Sequence, residues 1–174
     1  MELIHQASVM TRLGMFTIRC SDRGVQQIAF GPLRASSDRR SSRSAIDHAG
    51  TDSNGRGPRA AQWSRQAARE LQEYAAGDRK KFTVPLDLHG TEFQKKVWKA
   101  LRSIPYGRTK SYGEVARLVG NPLAARAVGM ANHENPVAIV VPCHRVIAAD
   151  GSLGGYAGGL RKKSTILQLE KSNA

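Results

Sequence analysis

The 174-residue chain holds two cysteines, and one of them, Cys143, lies in the run Pro142-Cys143-His144-Arg145-Val146-Ile147. That run follows the apolar stretch Val137-Ala138-Ile139-Val140-Val141 without a break. Sulfur attacks as the thiolate, and nearby positive charge or a base favours that form over the thiol, whose free pKa is about 8.5. A histidine and an arginine stand within two residues of Cys143, so the chemistry on offer is nucleophilic attack by sulfur. The plainer alternative is a structural cysteine beside two surface residues. Further on, Asp150-Gly151-Ser152-Leu153-Gly154-Gly155-Tyr156-Ala157-Gly158-Gly159 has neither a Gly-Lys-Ser/Thr pattern nor a dinucleotide fingerprint. It reads as a mobile wall whose backbone amides are free to contact a substrate. Glu170 is a lone acid on a final helix expected over roughly 159–171 with Leu160 and Leu167, and such a charge is ordinarily solvated.

These groups need elements to hold them. Residues 13–20 and 24–30 read as strands of a hairpin turned at Ser21-Asp22-Arg23-Gly24, because β-branched and aromatic residues flank a glycine-containing turn. Residues 35–59 contain almost nothing apolar and are expected as a flexible loop. Pro58 then opens a helix with Trp63, Ala67, Leu71 and Tyr74 on one face, which Gly77 ends. Residues 81–86 look like a short strand with Pro85 at its edge or end. No catalytic constellation is visible in residues 1–86.

From Thr91 the texture changes. Thr91-Glu92-Phe93-Gln94 and Ser111-Tyr112-Gly113-Glu114 are both capping boxes, in which hydroxyl and acid or amide satisfy each other's backbone amides. The first helix carries Phe93, Val97 and Leu101 with Trp98 adjacent, and Ile104-Pro105-Tyr106-Gly107 stops it. The second carries Val115, Leu118 and Val119 and ends near Gly120. After Asn121-Pro122, residues 123–132 read as a third helix, which gives the spacing of a helix-turn-helix. Ala124, Ala125, Ala127, Gly129 and Ala131 leave its backbone nearly bare, with Arg126 as the one long polar group. Such a slim helix suits close packing in a core, or close approach to DNA with one arginine as a probe. A recognition helix ordinarily enters the major groove, but this one lacks the Asn, Gln and Arg clusters that read bases there.

Charge favours the nucleic-acid reading. The net charge is +13; residues 1–90 hold 14 basic and 9 acidic side chains, and residues 91–174 hold 13 and 5. The excess is therefore denser in the half containing Cys143, and an excess of this size attracts a polyanion. No apolar run approaches the ~20 residues that cross a bilayer, and no secretory signal is visible. Two distant cysteines make no disulfide framework, so a reducing, cytoplasmic setting is expected.

Several motifs in register resemble the O6-alkylguanine-DNA alkyltransferases: Gly120-Asn121-Pro122, Ala124-Ala125-Arg126-Ala127-Val128-Gly129, Asn135-Pro136-Val137, Pro142-Cys143-His144-Arg145-Val146, and Gly155-Tyr156 with Gly158-Gly159-Leu160. The resemblance is almost continuous over about 91–170 and looser before it, through the hairpin, the helix and a lead-in at 85–94. It implies an α+β chain: a small N-terminal α/β domain (antiparallel sheet plus helix) over 1–86, then a mainly helical, winged-helix-like domain over 91–174. Cys143 would be the alkyl acceptor, His144 its base and Glu170 the group that orients the imidazole, a relay of the activated-nucleophile type. Neighbours on a strand point to opposite faces, so Cys143 and His144 would communicate through a turn or, as in the family, a water. Tyr112 would donate a proton at base N3, and Asn135 would tie the turn before the recognition helix to the active site.

The same resemblance sends the third helix into the minor groove of double-stranded DNA. There Ala125, Ala127 and Gly129 would permit close approach while Arg126 fills the gap left by a flipped-out O6-alkylguanine. Tyr156, Ala157 and Gly158, with Val146, would surround the alkylguanine pocket. Ala157 and Ala138 stand where some relatives carry serine and proline. The expected protein is a monomer that transfers one alkyl group to itself, once, with no cofactor and no membrane partner. Cys20, His5, His48 and His89 match no zinc spacing, so no metal is expected. Preference for methyl or larger groups, and activity on O4-alkylthymine, stay open. Three rivals make different demands: an alkyltransferase-like lesion-binding protein lacks the acceptor cysteine, a transcription regulator needs base-reading side chains, and a cysteine hydrolase needs no DNA-suited arginine.

Overall fold

Phe16, Ile18 and Cys20 alternate along one strand and are all fully buried, which makes that strand the centre of the N-terminal sheet. In the computed structural model, which describes residues 4–32 and 59–174, three antiparallel strands run in the order β1 (His5–Thr11), β2 (Gly14–Ser21) and β3 (Gly24–Phe30). The β2–β3 hairpin matches its sequence signal. β1 gives little signal, because Val9 is its one buried hydrophobic residue. The loop expected over 35–59 lies outside the described residues except for Arg59, which begins helix α1 (Arg59–Ala76). α1 lays Ala67, Leu71 and Tyr74 against β1 and β2, and Gly77, at φ +90°, ends it in the left-handed conformation glycine permits.

The strand expected at 81–86 is reduced to one bridge between Val25 and Leu86. Its backbone amides go elsewhere: the buried carboxylate of Glu70 accepts from Thr83 N at 2.9 Å and Val84 N at 3.3 Å. A side chain on α1 thus replaces a neighbouring strand as the acceptor.

Both capping boxes form, opening α2 (Glu92–Arg102) at Thr91 and α3 (Tyr112–Leu118) at Ser111. α2 buries Val97, Trp98 and Leu101, while Leu118 at the end of α3 is exposed. A turn follows, then α4 (Ala125–His133), so the third helix starts two residues later than expected. The apolar run 137–141 is a series of tight turns, with Val141 N bonded to Val137 O and Cys143 N to Val141 O. Ile139 sits at φ +72°, a strained conformation for a β-branched residue. A single 3₁₀ turn, Cys143–Arg145, leads into the two-residue strand β5 (Val146–Ile147), which pairs in parallel with β4 (Lys110–Ser111). The last helix, α5 (Leu160–Ser172), buries Lys163, Ile166 and Glu170, and Leu160 at its start is exposed. Buried side chains from the sheet, α1, α2, α3, α4 and α5 form one continuous cluster. Among the described residues no helix is long and apolar enough to cross a membrane.

Candidate active site

The 3₁₀ turn decides where the three residues after Pro142 point. Cys143, His144 and Arg145 are all buried, His144 completely. Asn135 Nδ2 donates to Cys143 Sγ at 3.1 Å and to Val141 O at 2.8 Å, while Asn135 Oδ1 accepts from Val137 N at 3.0 Å. Asn135 follows α4, so it ties the turn after that helix to the cysteine, not the turn before it. Burial pushes the Cys143 thiol pKa up; the Asn135 amide, the Lys163 cation and the backbone amides of Cys143 and His144 act against that rise.

Glu170 is fully buried, the reverse of a solvated helix charge. Its carboxylate accepts from His144 Nε2 at 2.8 Å, Arg145 Nη2 at 2.8 Å, Arg145 Nε at 2.9 Å, Tyr74 Oη at 2.5 Å and Gly107 N at 3.1 Å. Burial alone would raise its pKa, but the bonds from His144 and Arg145 outweigh that and hold it well below the ordinary carboxylate range. An ionised carboxylate only accepts, so His144 carries its proton on Nε2. Burial lowers the imidazole pKa against the pull of Glu170, so the ring is neutral and Nδ1 keeps a free lone pair. Nδ1 is buried without a hydrogen-bond partner among the described residues. The arrangement provides a shielded thiol beside a neutral imidazole whose protonated form an anchored carboxylate would stabilise.

Tyr74 and Lys163 carry no sequence signal of their role here, and Arg145, read in the sequence as a charge beside the thiol, pairs with Glu170 instead. Tyr74 comes from α1, in the half that showed no catalytic constellation. Arg145 completes the ion pair with Glu170, and its Nη1 donates to Ile104 O at 2.7 Å. Lys163 is fully buried and donates to the carbonyls of Val146 at 2.6 Å and Leu153, joining α5 to the strand after the cysteine and to the glycine-rich stretch.

A cavity of about 30 Å³ touches Cys143 and is lined by Tyr112, Gly129, Asn132, His133, Gly155, Tyr156 and Ala157. Of the expected pocket residues, Tyr156 and Ala157 are present. Val146 and Gly158 are not: Val146 is buried in β5, and Gly158 packs on Phe30, where an added Cβ would come within 3.0 Å of the ring. Gly129, expected to face DNA, faces this cavity. Arg126 and Ala127 are exposed and Ala125 half-buried, so α4 turns one side outward and another toward Cys143. A larger cavity of about 280 Å³ lies among Arg19, Gln26, Gln27, His89 and Pro136. It holds no nucleophile, so chemistry rather than volume selects the site beside Cys143.

Comparison with known proteins points the same way. Residues 92–172 match the family described as 6-O-methylguanine DNA methyltransferase, DNA binding domain. The methylated-DNA--protein-cysteine methyltransferase of Methanosarcina acetivorans is 59% identical over 108 residues, 62% of this chain and 69% of that protein. Its namesake from Mycobacterium leprae is 60% identical over 106 residues, 61% of this chain and 64% of that protein. The crystal structure of Mycobacterium tuberculosis O6-methylguanine methyltransferase superposes with a TM-score of 0.79 at 41% identity, covering 99% of this chain and 95% of that one. The same enzyme solved in complex with DNA gives 0.79 at 40% identity, covering 98% and 94%. With its buried cysteine, histidine and glutamate on that shared architecture, the chain belongs to the methylated-DNA--protein-cysteine methyltransferase family.

Proposed function

We propose that this protein repairs DNA directly, by moving the alkyl group of O6-alkylguanine onto Cys143. The observation that carries the reading is the hydrogen-bonded series Tyr74–Glu170–His144 buried behind a cysteine that Asn135 holds at 3.1 Å. Cys143 sulfur attacks the alkyl carbon, a C–S bond forms, and the C–O6 bond breaks with its electrons going to guanine. The thiol proton passes to His144 Nδ1 through one water, and Glu170 stabilises the imidazolium. Tyr112 donates a hydrogen bond to base N3. Its proton passes to N3 as the C–O6 bond breaks, so the guanine leaves neutral, and solvent reprotonates the phenol, whose pKa burial holds up. The thioether is stable, so each molecule acts once.

The target atom is stacked inside duplex DNA, and reaching it means flipping the nucleotide out at a cost of a few kcal/mol. Exposed Arg126 fills the gap from the minor-groove side while Ala127, with Ala125 beside it, lets the α4 backbone approach. The chain acts as a cytoplasmic monomer without a cofactor, an N-terminal domain over 1–86 and a C-terminal domain over 91–174 sharing one core. The test is intact and peptide mass after mixing with duplex DNA carrying one O6-methylguanine. One methyl on the Cys143 peptide, saturating at one per protein, is the expected result. Tight lesion binding with no mass gain would replace this reading with damage sensing.

A further inference from the structure

Asn132 is the polar group at the site that packing explains least. On α4, Ala125, Gly129 and Asn132 recur at i, i+4 and i+7 and form one stripe. Asn132 lines the cavity that touches Cys143, Tyr112 and Tyr156. Its side chain is 9% exposed, yet neither Nδ2 nor Oδ1 has a hydrogen-bond partner among the described residues. Buried amides are normally paired, and Asn135, three residues on, uses both ends of its own. Asparagine is also a poorer helix former than leucine, which has the same number of side-chain heavy atoms. Neither helix propensity nor packing therefore favours an amide here. Tyr156, on the same cavity, likewise has a buried hydroxyl without a partner.

We infer that Asn132 is a specificity residue whose carboxamide hydrogen-bonds the flipped alkylated purine in the Cys143 pocket. This rests on the function proposed above. An amide places donor and acceptor side by side. Alkylation at O6 removes the hydrogen from N1, so O6-alkylguanine offers ring-nitrogen acceptors beside the donor N2 amine. Unmodified guanine offers two donors at N1 and N2. A wall of aliphatic carbon would accept either base, whereas a buried amide disfavours an occupant that leaves it unpaired. The cavity of about 30 Å³ holds about one water. A purine needs more room than that, so the cavity widens around Asn132 when a base enters.

The experiment is single-turnover methyl transfer, read as mass gain on Cys143, for wild type, Asn132→Leu and Asn132→Ala. The duplexes carry O6-methylguanine, O6-methylhypoxanthine (no N2 amine), or the 1-deaza and 3-deaza analogues of O6-methylguanine. Asn132→Leu is expected to slow transfer from O6-methylguanine by about tenfold, one net hydrogen bond. One analogue is expected to slow the wild type by a similar factor while costing both variants nothing further. Thermal unfolding of Asn132→Leu should show no loss of stability, because the amide removed has no hydrogen-bond partner among the described residues. Equal slowing of every substrate, or of none, overturns the inference while leaving the proposed function standing. A wild type that never gains a methyl removes the function, and the inference with it.

Discussion

At the scale of single residues, the weight of the site falls on one carboxylate. Glu170 gathers donors from four residues in three parts of the chain, and its pKa lies below the ordinary value of 4.5 in the folded state. A depressed carboxyl stabilises the fold fully above its unfolded pKa and loses that contribution as pH falls through the folded value. Urea midpoints measured from pH 7 downward should therefore fall less steeply in Glu170→Gln than in wild type; parallel curves would sink the argument. The variant also starts lower at pH 7, because Arg145 keeps its burial and loses its anion, a change worth about 3–5 kcal/mol in comparable pairs. Tyr74→Phe is the gentler probe. It removes one hydrogen bond to a charged group, about 1.5–3 kcal/mol of stability. His144 and Arg145 still hold Glu170, so methyl transfer should stay within about threefold of wild type. A collapse of transfer with stability intact would instead make Tyr74 part of the proton path.

At the scale of elements, α4 has two working sides, and Gly129 lies on the inner one. A Cβ there would meet Tyr112 Cε1 at 3.8 Å, ordinary contact, so Gly129→Ala fits. It should raise stability by about 0.5–1 kcal/mol, the helix penalty of glycine. Gly129→Leu has no such room and should displace Tyr112, slowing transfer while DNA affinity, which we propose the outer side carries, changes little. Loss of DNA binding with transfer to free O6-methylguanine intact would place Gly129 back on the DNA side. The small residues of this helix were legible in the sequence, but not their division between the two sides, because that depends on how α4 packs on α2 and α3. The capping boxes at Thr91 and Ser111 were legible outright, since their hydrogen bonds close within four residues. The strand expected at 81–86 was not, since its amides pair with Glu70, 13 residues away. Cys143, His144 and Glu170 could be named only because a motif and a resemblance carry them. Tyr74 and Lys163 look like a core aromatic and a surface lysine until the fold delivers them to the site.

At the scale of the whole molecule, charge and shape divide the work of finding and opening DNA. The excess of +13 attracts the phosphate backbone everywhere, and each neutralised phosphate adds about 0.9 to the slope of log affinity against log salt. Arg126 stands apart from that general attraction if it occupies the stack, where it touches no phosphate. Arg126→Ala should then leave the salt slope unchanged, since loss of one phosphate contact would lower it by about 0.9. Transfer from O6-methylguanine in duplex DNA should fall steeply, since nothing holds the flipped state against a restacking gain of a few kcal/mol. Transfer from the same lesion in single-stranded DNA, which has no stack to reopen, should be nearly unchanged, and so should alkylation of Cys143 by a small electrophile. Filter binding at four salt concentrations, with mass-monitored transfer on both DNA forms, separates these quantities. A slope that falls by one unit, with duplex and single-strand transfer reduced alike, would make Arg126 an ordinary phosphate contact and leave flipping to other residues of the exposed side of α4.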